Sequence, residues 1–148
     1  MSMEKSIELG SDHAGYELKS FIIKYLKSKG YVANDHGCFS NESVDYPDYA
    51  HNVANALKLN TQSLGILICG SGNGINITAN KYKHIRAALC WNAEIAQLAR
   101  LHNDANVLTL PGRFISNEEA IKCVDVFLST AFEGGRHQKR VEKITACL

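Results

Sequence analysis

The 148-residue sequence lacks the features that mark a secreted, disulfide-bonded or membrane-spanning protein. Its five cysteines are odd in number and form no C-x-x-C pair, so neither a disulfide framework nor a structural zinc site is predicted. No apolar stretch approaches the roughly 20 residues that a transmembrane helix needs, and no signal-peptide segment precedes the first apolar run. From these absences we expect a cytoplasmic protein that does not contact a membrane.

The sequence also lacks an excess of charge of one sign and has little proline. The formal net charge is +1, so no bulk electrostatic field attracts nucleic acid, and any anion must be bound locally. The two prolines, Pro47 and Pro111, both fall at boundaries of predicted elements. There is no linker, repeat or low-complexity segment. We therefore expect one domain over residues 1–148.

Short apolar runs alternate with helical patterns along the chain. Strands are predicted at residues 7–10, 31–35, 64–69, 86–90 and 107–110. Apolar spacing or capping signals predict helices at residues 18–26, from Pro47 onward, after residue 74, at 92–102, after Ser116, and from Gln138 to the end. Ser116 and Glu119 match a capping box. This alternation predicts a parallel sheet with helices on both faces, whose ligands bind beyond the carboxyl ends of the strands.

A glycine-rich loop, Gly70-Ser71-Gly72-Asn73-Gly74, directly follows the clearest predicted strand. Glycines allow close approach to a ligand, and several backbone N–H groups can then point at a phosphate or a developing oxyanion. The alternative is a tight turn that needs glycine only for its backbone angles. The spacing differs from the G-x-G-x-x-G dinucleotide fingerprint, and no acidic ribose ligand follows the next strand.

Cys69 ends that strand and leads into the loop. A thiol at this place could be ionised by nearby N–H dipoles and act as a base or nucleophile. It could equally be an inert buried cysteine, which is a common environment for this residue type. Its position alone favours neither interpretation.

Other polar residues are candidates for the same chemistry. Asp12 and His13 follow the first strand and could hold a ligand, or else cap a helix with the histidine facing solvent. His102 ends a helix and could transfer a proton or simply interact with the helix dipole. Arg136 and Arg140 are four apart, so they could bind a phosphate together or form a solvated basic helix end. The remaining histidines have no spacing typical of metal ligands: His36, His51, His84 and His137.

Five ordered segments resemble the ribose-5-phosphate isomerase B family, to which galactose-6-phosphate isomerase is related. The segments are GSDHAG (10–15), DYPDYA (45–50), GILICGSG (65–72), ARLHNDANVL (99–108) and GGRHQ (134–138). The resemblance extends almost from end to end. It implies a Rossmann-like three-layer sandwich with a five-stranded parallel sheet, and a metal- and cofactor-free reaction through a cis-enediol(ate). It also implies a homodimer or dimer of dimers whose C-terminal helix reaches the partner and whose active sites are shared.

The resemblance further implies catalytic roles. Cys69 would move the proton between C2 and C1, because this chain has Ile75 where another branch of the family has a glutamate base. His102 would open the sugar ring, Ser71 and the loop amides would stabilise the enediolate, and Asp12 would relay hydroxyl protons. The implied substrate-binding residues are Asp12, His13, Tyr46, Gly70, Ser71, Gly72, Asn73, Gly74, Asn103, Arg113, Arg136 and Arg140.

These observations predict an isomerase that interconverts ribose 5-phosphate and ribulose 5-phosphate. The first alternative is a six-carbon substrate, galactose 6-phosphate or allose 6-phosphate, because nothing in the sequence measures the depth of the pocket. A non-catalytic nucleotide-binding module is the alternative from a different class.

Overall fold

A five-stranded parallel sheet lies at the centre of the structure, a computed structural model that describes residues 6–148. The strands are arranged in the order β2-β1-β3-β5-β4. Their bounds are β1 (Ser6–Ser11), β2 (Val32–Asp35), β3 (Leu64–Cys69), β4 (Ala87–Leu89) and β5 (Val107–Pro111). The predicted five-stranded parallel sheet is therefore confirmed, and β1, β3 and β5 occupy its middle.

Six α-helices connect and flank the strands in the described residues. They are α1 (Tyr16–Ser28), α2 (Tyr46–Leu59), α3 (Asn73–Ala79), α4 (Ala93–Asn103), α5 (Asn117–Ser129) and α6 (Arg136–Lys143). The prediction for the last helix is wrong at both ends, since α6 begins at Arg136 and only turns follow Lys143. Across residues 6–148, no helix combines the length and the apolar character needed to span a bilayer.

The sheet is covered on both faces, which gives three layers. Helices α1, α4 and α5 pack on one face and α2 and α3 on the other, each with its own cluster of buried apolar side chains. Successive residues of β3 alternate between these clusters, with Ile66 and Ile68 in the first and Leu67 and Cys69 in the second. A strand buried on both sides must be apolar throughout, and this is why the run at residues 64–69 could be recognised in the sequence.

Helix caps explain where two of these helices start. The Asn92 side chain accepts a hydrogen bond from the Ile95 amide at 3.0 Å, so the predicted cap of α4 is confirmed. Ser116 caps α5 by accepting from the Glu119 amide at 3.1 Å. The second half of the predicted capping box is wrong, because the Glu119 carboxylate instead accepts from the Ala93 amide at 3.0 Å. That amide is an unpaired donor in the first turn of α4, so the carboxylate ties the starts of α4 and α5 together.

Candidate active site

The loops that follow β1, β3 and β5 meet at the carboxyl end of the sheet. The Asp12 amide donates to the Ile68 carbonyl at 3.3 Å, and the Gly112 amide donates to the Cys69 carbonyl at 2.9 Å. The Arg113 amide donates to the Gly70 carbonyl at 2.9 Å. These bonds join three segments that are distant in sequence, and they bring Asp12, the glycine-rich loop and Arg113 into one site.

The glycines of the loop are needed for both of the reasons considered above. Gly72 has φ +82°, and a Cβ there would lie 2.4 Å from Cδ1 of Leu89. A Cβ on Gly74 would lie 2.5 Å from the ring of Tyr46, and one on Gly70 would lie 3.3 Å from Nη1 of Arg113. The absence of side chains on Gly70 and Gly74 thus lets Arg113 and Tyr46 lie directly against the loop.

Cys69 is nearly buried, with 5% of its surface exposed. Burial raises the pKa of its thiol above the ordinary value, and hydrogen bonds from the Ile75, Gly72 and Gly74 amides oppose this rise. The amides therefore act on the thiol in the predicted direction, but burial outweighs them. A bound ligand or an additional positive charge beside the thiol would shift this balance toward the thiolate.

The other cysteines have no comparable surroundings. All five cysteines are free. Burial raises the pKa of both Cys90 and Cys123 to about 12, so these two thiols remain protonated at neutral pH. Cys38 is also buried, and its thiol donates to the Ser40 carbonyl at 3.3 Å. Cys69 is thus distinguished by the amide donors around it rather than by burial.

Asp12 and His13 adopt defined roles at the end of β1. Oδ1 of Asp12 accepts from the amides of Ala14 at 2.9 Å and Gly15 at 3.3 Å, so the capping role considered for Asp12 is present. His13 does not simply face solvent, because its Nδ1 accepts from the Val44 amide at 3.1 Å. An amide can only donate, so the neutral ring carries its proton on Nε2. That N–H is a suitable donor to a phosphate oxygen.

Ser71, Asn73 and Tyr46 line the open side of the loop. Oγ of Ser71 accepts from the backbone amide of Asn73 at 3.3 Å and from its Nδ2 at 3.2 Å, which leaves the hydroxyl proton available to a ligand. Tyr46 lies in the first turn of α2 and is 39% exposed. The predicted residues that the structure brings together at the carboxyl end are Asp12, His13, Tyr46, Gly70, Ser71, Gly72, Asn73, Gly74 and Arg113, beside Cys69.

The remaining predicted residues lie elsewhere. Helix α4 starts at the carboxyl end of β4 and runs back to the start of β5, so His102 and Asn103 lie at the amino end of the sheet. Strand β5 has five residues at about 3.3 Å each, which separates the two ends by about 16 Å. His102 and Cys69 of one chain therefore lie at opposite ends of its sheet, which is the separation that an active site shared between two chains requires.

The turn after α4 holds His102 and Asn103 in place. Asp104 has the left-handed angle φ 47° and accepts from Nη1 of Arg100 at 3.0 Å and from Nη2 of Arg86 at 3.2 Å. Helix α6 packs beside α4, and the imidazole rings of His137 and His102 stack with centroids 4.2 Å apart. The group at the amino end thus comprises His102 and Asn103 together with the exposed Arg136 and Arg140.

Sequence reasoning missed two residues of this group. His137 was set aside because its sequence spacing suggested no ligand role, and Glu133 was not considered. The structure places ligand atoms of His102, Glu133 and His137 within 4.8 Å of one another. More than 30 residues separate His102 from the other two, so no local pattern could have revealed the contact.

The fold and the site define an α/β protein with a glycine-rich loop and a buried thiol at the carboxyl end of a parallel sheet. The sequence matches the family model described as Ribose/Galactose Isomerase over residues 7–144. The chain belongs to this family.

Individual relatives match over nearly their whole length. Ribose-5-phosphate isomerase B of Escherichia coli is 48% identical over 142 residues, which cover 96% of this chain and 95% of the relative. The crystal structure of a ribose 5-phosphate isomerase from Thermotoga maritima is 52% identical, with a TM-score of 0.93 over 96% of this chain and 98% of that one. Ribose-5-phosphate isomerase B from Mycoplasma genitalium with bound ribulose-5-phosphate is 47% identical, with a TM-score of 0.92 and coverage of 97% and 95%.

Proposed function

We propose that this chain is an aldose–ketose isomerase that interconverts ribose 5-phosphate and ribulose 5-phosphate through a cis-enediol(ate), without a metal or cofactor. The observation that carries the proposal is the Cys69 thiol surrounded by the amides of Gly72, Gly74 and Ile75 at the carboxyl end of β3. A base beside a set of amide donors is what a proton transfer through an oxyanion requires. The bound ribulose 5-phosphate of the Mycoplasma genitalium relative supports the choice of substrate.

In the proposed reaction the Cys69 thiolate removes the proton from C2 of the open-chain aldose. The electrons of the C2–H bond form the C1–C2 double bond, and the carbonyl electrons move to oxygen. The loop amides and the Ser71 hydroxyl stabilise that oxygen, which is usually the largest single contribution to such a reaction. A proton then passes from the C2 hydroxyl to the C1 oxygen, the electrons left on the C2 oxygen form the new carbonyl, and the electrons of the C1–C2 double bond take the proton back from Cys69 at C1. This gives the ketose and regenerates the thiolate. Asp12, with Oδ1 held by two amides, presents its second oxygen for relaying a hydroxyl proton.

The geometry supports a shared active site. His102 and Asn103 lie about 16 Å from the Cys69 end of their own chain, as the length of β5 indicates, and α6 with Arg136 and Arg140 packs beside α4. We infer that these residues serve the site of a second copy. In this arrangement His102 of one copy protonates the ring oxygen of the sugar bound by the other. Its arginines bind the phosphate together with His13 and, nearby, Arg113. The assembly is then a homodimer, or a dimer of dimers built from it.

Exposed aromatic side chains at the carboxyl end also support this assembly. Phe39, Trp91 and Phe114 follow β2, β4 and β5 in sequence and are 71%, 56% and 75% exposed. Aromatic residues are enriched in interfaces because they bury a large apolar area with few rotatable bonds. A second copy that covers these rings would remove them from water and exclude water from the site.

The main alternative substrate is a six-carbon sugar phosphate, since the family description names galactose as well as ribose. Galactose 6-phosphate or allose 6-phosphate needs the same proton transfer and a longer pocket. A non-catalytic nucleotide-binding module is less consistent with a buried thiol facing amide donors. A cytoplasmic location and a role in pentose phosphate metabolism belong to the same proposal.

A coupled assay for ketose formation from ribose 5-phosphate, allose 6-phosphate and galactose 6-phosphate, measured side by side, tests the proposal. We expect the highest kcat/KM for ribose 5-phosphate. Higher kcat/KM for a six-carbon substrate would reassign the enzyme within the family. A pure and folded protein that acts on none of the three, or that carries a bound nucleotide, would overturn the isomerase assignment.

A further inference from the structure

A cluster of three potential metal ligands lies where α4 ends and α6 begins. Nitrogens of His102 and His137 and a carboxylate oxygen of Glu133 all lie within 4.8 Å of one another. Nε2 of His137 is 3.9 Å from Oε1 of Glu133. The backbone amide of Glu133 donates to the Leu101 carbonyl at 3.1 Å, which holds the carboxylate beside the end of α4.

His137 is the second, independent indication of a ligand. The residue is only 5% exposed, and within residues 6–148 its Nε2 has no hydrogen-bond partner. Buried polar atoms are nearly always paired, so an unpaired imidazole nitrogen requires an explanation. The nearby Glu133 oxygen is too distant for a hydrogen bond at 3.9 Å but suitably placed to share an ion.

We propose that His102, Glu133 and His137 bind a divalent transition-metal ion of the zinc class, and that the bound ion inhibits the enzyme by occupying His102. Two imidazoles and one carboxylate, with a fourth position open to water, are a ligand set that zinc accepts. Tetrahedral coordination at zinc needs ligand atoms about 3.4 Å apart. The observed limit of 4.8 Å must therefore close by up to about 1.4 Å, and the half-exposed Glu133 side chain is free to turn. His102 must also turn out of its nearly parallel stack on His137, because the in-plane lone pairs of stacked rings do not converge on one ion.

The charges around the cluster set the strength of binding. Burial lowers the pKa of His137, and the positive charges of His102, Arg136 and Arg140 add to this effect, while Glu133 opposes it. A neutral imidazole is the form that binds a metal. The two arginines also repel the ion. They are exposed, so solvent and salt screen this repulsion, and we expect reversible binding rather than a permanent structural ion.

The inhibitory part rests on the proposed function, because it assumes that His102 opens the sugar ring. An imidazole whose lone pair is bound to zinc has no basic nitrogen left, so it cannot be protonated to the imidazolium that would give a proton to the ring oxygen. The reaction itself uses no metal, so a chelator is expected to leave activity unchanged or to raise it.

Calorimetric titration of the purified, metal-free protein with ZnCl₂ tests binding independently of activity. We expect one ion per chain at the cluster, and Glu133→Gln should weaken its binding by about tenfold or more. Glu142→Gln is the matched control, because Glu142 is an exposed carboxylate on α6 that bonds to Gln138. Titration with Co²⁺ distinguishes the cluster from the thiols, since binding at a cysteine adds a thiolate charge-transfer absorption. That absorption, or equal binding by wild type and Glu133→Gln, would overturn the site.

Inhibition is measured on the same variants. Metal-free Glu133→Gln should keep the wild-type kcat, while the ZnCl₂ concentration for half inhibition rises about tenfold or more, and Glu142→Gln should behave as wild type. His137→Asn should match Glu133→Gln if it folds, but the conclusion does not depend on it. Glu133-dependent binding without inhibition of an active enzyme would overturn the role of the ion at His102. Glu133-dependent binding to a protein with no isomerase activity would instead overturn the proposed function and leave the site standing.

Discussion

The two ends of the central sheet differ in what they contribute. The carboxyl end carries Cys69, its amide donors, Asp12 and His13, which together resemble a site for proton transfer next to an anion. The amino end carries His102 stacked on His137, with Arg136 and Arg140 exposed nearby. Under the proposed roles, each end holds only part of the chemistry that the reaction needs. A single chain then carries all the proposed catalytic residues, but its fold keeps them at opposite ends of the sheet, so a complete site would require a second copy.

The largest effect is expected from removing the thiol at the carboxyl end. Cys69→Ala should lower kcat by about three orders of magnitude while the fold persists, since the loss of a general base removes a chemical step rather than a contact. The coupled assay measures kcat, and circular dichroism checks the fold. Cys147→Ala, at an exposed cysteine, is the control and should be indistinguishable from wild type. Near-normal turnover by a folded Cys69→Ala variant would show that Cys69 is not the base.

Mixing inactive chains tests whether the two ends serve one another. Arg136→Ala/Arg140→Ala should be nearly inactive, because charge-assisted bonds to phosphate are worth roughly 1.5–3 kcal/mol each. A heterodimer with Cys69→Ala combines both defects in one site and leaves the other site intact. Random exchange should therefore restore up to about a quarter of wild-type activity per site. If a mixture with verified subunit exchange stays inactive, the arginines act within their own chain and the shared site is wrong.

A third test separates ring opening from proton transfer. His102→Asn should slow turnover of the cyclic aldose about a hundredfold in single-turnover experiments, which is the usual scale for losing a positioned acid or base. The open-chain ketose needs no ring opening before enolisation, so its consumption should be much less affected. Equal losses with both substrates would indicate that His102 supports the structure instead of moving a proton.

The smallest effect concerns the pH dependence of Cys69. Burial raises the thiol pKa in the single chain, so less thiolate is present at a given pH, and kcat/KM should rise with pH through the neutral range. A second copy would bring cationic Arg136 and Arg140 close to Cys69 and lower this pKa again. The rate at which iodoacetamide alkylates Cys69 reports its thiolate fraction. In Arg136→Ala/Arg140→Ala this rate should begin to rise at a higher pH than in wild type. If the two pH profiles of alkylation coincide, these arginines lie far from Cys69 in the assembly.

The sequence alone determined most of the framework, because the relevant signals are local. The apolar run at residues 64–69 was the clearest buried strand in the sequence, and Asn92 before an amphipathic segment could be recognised as a helix cap. The glycine-rich loop after β3 also identified the carboxyl end of the sheet as the candidate site. Residue spacing within one turn or strand decides such features.

Only the tertiary structure decided how these parts combine. Strand order and the direction of α4 placed His102 at the amino end, and packing brought His137 and Glu133 against it from a segment more than 30 residues away. Burial raises the pKa of the Cys69 thiol by more than the surrounding amides lower it, although the amides are present as predicted. The Glu119 carboxylate accepts from the Ala93 amide at the start of α4 instead of capping its own helix. Long-range contacts and desolvation depend on which surfaces meet, and no spacing within a single segment records that.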